Sequence, residues 1–181
     1  MNDPKQVGHI AKALNAAKND ISGGKQKVKV KELYNEILVL VKQENTPLDA
    51  KIVDQIKCDL ARTNTTERVK TKEGQAELEN VLLAIAFMFP EVGYCQGMNF
   101  IGSMLLLIMD DQEHLAFMAF THFLGDKNLK MESLFVQGLP ELALMNYTFE
   151  RCIAKNCVKL FAHLRSVDMK TEYFTSGHFT F

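Results

Sequence analysis

The sequence predicts an all-α fold, a multi-helix bundle of about eight helices joined by short connections. Three observations predict it. Between breaks, apolar residues recur mostly at helical spacing. The ten glycines and four prolines in 181 residues punctuate these segments and do not pervade them. Only residues 25–31 alternate like a strand, and no partner strand lies near them.

Taken in order, residues 7–20 carry Ile10, Ala11, Leu14 and Ala17, the stripe of a short amphipathic helix that Gly23 and Gly24 stop. Residues 25–31 mix lysine with glutamine and valine and read as a solvated linker. From Val30 to Gln43, Leu33, Ile37, Leu38 and Val41 mark another helix. The run Thr46-Pro47-Leu48-Asp49 opens the next: Thr46 as cap, Pro47 at the first helical position, Asp49 at the third. That helix places Ile52, Val53, Ile56 and Leu60 on one side and runs out near Arg62, into the polar stretch 63–72.

Residues 77–89 form a helix that ends at Pro90, and residues 91–95 form a turn. Residues 96–109 are apolar nearly all round, which predicts a helix central to the core. Asp110 and Glu113 have the spacing of a capping box for a helix bearing Leu115, Phe117, Met118 and Phe123, stopped by Gly125. Gly138-Leu139-Pro140 opens a long helix with Leu144, Phe149 and Ile153; residues 158–164 and 169–174 form shorter ones.

Composition narrows the function. Apolar residues make up 47% and charged residues 24%, with a formal net charge of −1. That balance offers no basis for binding nucleic acid or an acidic membrane surface. The cysteines, Cys58, Cys95, Cys152 and Cys157, form no CxxC pair and read as reduced, mostly buried thiols of a cytoplasmic protein. The histidines show no zinc-finger spacing with them. The N-terminus lacks the charged start and apolar run of a signal peptide. The longest apolar stretches, 81–89 and 104–109, are far below the ~18 residues that span a bilayer. No phosphate loop, GxGxxG, HExxH or GxSxG occurs, so the chain is expected to hold no nucleotide, metal or other cofactor of its own.

Two polar islands remain. The first, residues 56–63, has the pattern IxxDxxR. Asp59 and Arg62 lie three apart, so on a helix their side chains are neighbours. The carboxylate can hold the guanidinium in one rotamer and aim it outward, as suits charge developing on a phosphoryl group. The same spacing also describes an ordinary surface ion pair. The second island, residues 92–99, reads Val-Gly-Tyr-Cys-Gln-Gly-Met-Asn and interrupts two apolar helices. Gly93 and Gly97 let the backbone bend and another chain approach. Gln96 is a neutral donor and acceptor able to bond water and backbone together. A capping turn around a packed Tyr94 fits as well.

In combination, IxxDxxR followed by one apolar helix ending in proline and then YCQGMNFI resembles the TBC domain of Rab GTPase-activating proteins. The resemblance covers roughly residues 30–181. It implies a fold, the N-terminal, finger-bearing subdomain of a TBC domain, with residues 1–29 as an N-terminal helix and linker. It implies that Arg62 is an arginine finger, oriented by Asp59, and that Gln96 is a glutamine finger positioning the attacking water. Tyr94, Gly97 and Asn99 match supporting members of the YxQ loop. The partner implied is a Rab-family small GTPase, which holds the GTP and Mg²⁺; the chain is then an activator, not an enzyme on its own, in the cytoplasm and peripheral to membranes through that partner. The family's usual Arg…Trp motif has no counterpart, since the chain has no tryptophan. Family domains are longer, so the domain is expected to be truncated at its C-terminus. A non-catalytic Rab-binding module and a helical scaffold of the same fold are the alternatives.

Overall fold

A computed structural model describes residues 24–126, 129, 131–136 and 139–173, with side chains from Val30 onward. The expected helix over residues 7–20 lies outside them. Among the described residues there are eight helices: α1 Gly24–Val41, α2 Ala50–Leu60, α3 Lys72–Met88, α4 Met98–Ile108, α5 Glu113–Gly125, α6 Met131–Phe135, α7 Pro140–Asn156 and α8 Val158–Ser166. None is long and apolar enough to cross a membrane.

The centre of the bundle is α3. Every residue from Val81 to Met88 is buried, because α1, α2, α4 and α5 surround it. Phe87, Phe117 and Phe120 are fully buried there; removing such a side chain from water contributes roughly 1.5–3 kcal/mol. Polar stitching fixes the register of α1, α3 and α5. The Tyr34 hydroxyl and the Asn80 amide both donate to Glu113 Oε2 at 2.8 Å, and the Tyr34 ring lies 5.2 Å from that of Phe117.

Several local expectations are corrected. Residues 25–31 are not a linker but the first turns of α1, which runs unbroken to Val41. The lysines of that segment are good helix formers and its alternation is too short to outweigh them. The cap of α2 is Asp49, whose side chain accepts from the Lys51 amide at 2.9 Å; Thr46 instead takes the Leu48 amide at 3.3 Å. Helix α3 starts at Lys72, five residues before expected, because Thr71 caps it by accepting from the Gly74 amide.

Helix α4 begins at Met98, which leaves Gln96 in the preceding turn. It is also not central. Met98, Asn99, Gly102, Ser103 and Leu106 are buried, but Phe100, Met104, Leu107 and Ile108 are exposed. Its neighbours α2, α3 and α5 cover one side only, so all-round apolarity did not mean all-round burial. No capping box forms at α5. Asp110 and Asp111 are left-handed, Gln112 stands at the cap, and Glu113 is engaged by Tyr34 and Asn80. Nor are the thiols mostly buried: Cys58, Cys152 and Cys157 are exposed and Cys95 is half-buried. Cys58 falls on the outer side of α2, and α7 and α8 lie at the margin, α8 with no buried residue. The expected helix over 169–174 is helical at Glu172 and Tyr173 and then leaves the described residues.

Candidate functional site

Two loops meet at the end of α2. The stripe Ile56, Asp59 and Leu60 is buried, so Asp59 is a carboxylate on the core-facing side of the last turn. Beyond it the chain tightens. The Arg62 amide donates to Asp59 O at 3.2 Å and the Thr63 amide to Leu60 O at 3.1 Å, the i→i+3 pattern that closes a helix end.

That turn sends the Arg62 side chain outward. Its Nε donates to Asp59 Oδ1 at 2.9 Å, and its Nη2 reaches the same oxygen. The arginine side chain is 63% exposed and the aspartate 1%. The hydrogen bond to Asp59, then that residue's charge, raises the Arg62 pKa further, so the guanidinium is a permanent cation. It is held on one edge and open to solvent elsewhere.

The second loop follows α3. The Gly93 amide closes a turn on Phe89 O at 2.7 Å. Gly93 has φ +60, and a Cβ there would stand 2.9 Å from Ile52 Cδ1, so the loop presses against α2. Tyr94 is buried, and its hydroxyl donates to Asp59 Oδ2 at 2.7 Å. The two oxygens of one buried carboxylate thus serve two loops. Burial, then the hydrogen bond to Asp59, pushes the Tyr94 hydroxyl well above the ordinary tyrosine range, so it stays a donor.

Gly97, with φ +104, turns the chain into α4, and its amide donates to Asn99 Oδ1 at 3.1 Å. The buried Asn99 amide in turn donates to Thr63 Oγ1 at 2.7 Å. Gln96 lies between these anchors, exposed, and its carboxamide has no hydrogen-bond partner among the described residues.

The structure therefore joins Asp59, Arg62 and Tyr94 directly, ties Asn99 and Gly97 to the same turn through Thr63, and leaves Gln96 free on the connecting loop. Thr63, fully buried, was not singled out from the sequence. Its signal was there: positions 56, 59, 60 and 63 continue one helical stripe past the end of α2. Among the described residues no group of three or more His, Cys, Asp or Glu side chains could hold a metal ion.

This all-helical bundle has the fold of a GTPase-activating domain. The crystal structure of the Ypt/Rab-GAP domain of Gyp1p superposes with a TM-score of 0.70 over 83% of this chain and 54% of that one, at 19% identity. The chain belongs to the Rab-GTPase-TBC domain family, whose family model matches residues 14–181. It is 33% identical over 157 residues to the human ecotropic viral integration site 5 protein homolog, covering 85% of this chain and 18% of that protein. To the GTPase-activating protein GYP5 of Eremothecium gossypii it is 28% identical over 176 residues, covering 97% and 19%. The chain thus spans less than a fifth of the length of these relatives.

Proposed function

We propose that this chain accelerates GTP hydrolysis by a Rab-type small GTPase, supplying Arg62 and Gln96 in trans. Arg62 enters the partner's nucleotide site and neutralises charge developing on the transferred phosphoryl group. Gln96 orients the attacking water through its carboxamide, which can accept from the water and donate to a neighbour. Asp59 fixes the guanidinium rotamer, and Tyr94, Gly97 and Asn99 shape the glutamine loop. The GTP and Mg²⁺ are the partner's, and the chain, with no cofactor of its own, acts in the cytoplasm and at membranes through that partner.

One observation supports this most: an exposed arginine held on one edge by a buried carboxylate, which the glutamine loop also grips through Tyr94. Single-turnover GTP hydrolysis against a panel of Rab proteins tests the proposal. An arginine finger in trans raises the rate roughly 10³–10⁵-fold, and Arg62→Ala and Gln96→Ala should each remove most of the acceleration. Equal rates with wild type and both variants would sink it, and binding without acceleration would leave a Rab-binding module.

A further inference from the structure

Arg62 and Gln96 can work together only if their loops hold a fixed separation, yet each side chain is exposed and neither loop is regular. Asp59–Tyr94 is one tie between the loops. A second, buried tie runs parallel to it. Thr63 Oγ1 donates to Asp59 O at 2.6 Å and accepts from Asn99 Nδ2 at 2.7 Å, across 36 positions of chain. Asn99 Oδ1 accepts the Gly97 amide at 3.1 Å. Thr63 is 0% exposed and Asn99 2%. A third contact, Thr65 Oγ1 with Ser103 Oγ, continues the series one turn along α4.

We infer that Thr63 is a positioning residue: its hydroxyl locks the turn that carries Arg62 to the turn that carries Gln96, so the two move as one unit. This rests on the GTPase-activating function proposed above. The physical reason is that a hydroxyl between a backbone carbonyl and a buried amide has its only proton donated to the one and one of its two lone pairs engaged by the other. Rotating it to release either loop strands a buried polar group on the other. Valine has nearly the same shape and supplies neither bond; serine supplies both.

The test compares the full chain with Thr63→Val, Thr63→Ser, Asn99→Ala and Thr63→Val/Asn99→Ala. In single-turnover hydrolysis with a responsive Rab, Thr63→Val should lower the maximal rate by tenfold or more with little change in half-saturating concentration. Thr63→Ser should stay within about threefold of wild type, as retention of the hydroxyl bonds requires. The double variant should lose far less than the product of the single losses. Hydrogen–deuterium exchange gives a readout independent of the partner. Thr63→Val should speed amide exchange in residues 59–63 and in residues 94–99, leaving residues 81–88 of α3 protected. Asn99→Ala should do the same from the other end, which keeps the test alive if the valine variant folds poorly. Faster exchange confined to residues 59–63, or a Thr63→Val variant with the wild-type maximal rate, overturns the inference. If the wild type accelerates no Rab at all, the proposed activity fails, while the exchange pattern still decides whether Thr63 couples the loops.

Discussion

The Tyr94 hydroxyl donates to Oδ2 of Asp59, while Arg62 occupies Oδ1 of the same carboxylate. One buried charge is therefore shared by a residue of the glutamine loop and the exposed arginine. Removing the phenol hydroxyl leaves a buried carboxylate oxygen without its donor, which costs about 1–3 kcal/mol. Tyr94→Phe should lower the urea midpoint accordingly, with the m-value unchanged. A midpoint equal to wild type would mean that water replaces the hydroxyl at no cost.

Gln96→Ala should separate activity from stability. The carboxamide is exposed and has no partner among the described residues, and substitutions at such positions usually stay within about 0.5 kcal/mol. Thermal unfolding should be unchanged while acceleration of GTP hydrolysis is lost. A large fall in melting temperature would show that the side chain packs.

Gly97 stands at φ +104 at the cap of α4, a conformation that carries a penalty for any residue with a Cβ. Gly97→Ala is expected to destabilise by roughly 1–2 kcal/mol, or a few degrees in Tm for a chain of this size. Calorimetry checks it, and an unshifted or raised Tm would contradict the left-handed turn.

Alkaline pH should expose the buried phenols. Burial raises Tyr34 and Tyr94 well above the ordinary tyrosine value, with Glu113 and Asp59 adding to the respective shifts. Unfolded tyrosines ionise near about 10. The folded phenols keep their protons longer, so above that pH the unfolded state binds fewer protons and stability falls. Their contribution is fully present below about pH 10 and is lost as pH rises toward the folded value. The urea midpoint should decline above about pH 10, and less steeply in Tyr94→Phe. Identical slopes in the two proteins would show that Tyr94 ionises freely.

Thiol labelling should be biphasic. Burial, with Asp59's charge behind it, pushes the Cys95 thiol up, whereas Cys58, Cys152 and Cys157 are exposed. Since the thiolate is the reacting form, Ellman's reagent at mildly alkaline pH should find three fast cysteines and a slow one, and Cys95→Ser should remove the slow phase. Four fast thiols would contradict the half-buried loop.

Much of the fold was legible along the chain. The stripes through Leu33, Ile37 and Val41, and through Ile56 and Leu60, named their helices and buried faces. So did the segments ending at Pro90 and Gly125. The proximity of Asp59 to Arg62 was legible for the same reason, since residues three apart on a helix are neighbours whatever surrounds them. What failed were features with competing local and distant partners. Glu113 had the spacing of a capping box, but Tyr34 and Asn80 claimed its carboxylate. Helix α4 had the composition of a central helix, but its neighbours cover only one side.

The sequence by itself determined the helical class, most helix positions and the two polar islands, because periodicity, caps and i,i+3 neighbours are properties of short stretches of chain. Only the tertiary structure decided that Tyr94 would reach Asp59 and Asn99 would reach Thr63, across 35 and 36 positions. Those bonds depend on how α2 and α4 pack around α3. No local preference encodes that distance: the buried hydroxyls, amide and carboxylate find partners only where the packed helices bring them together.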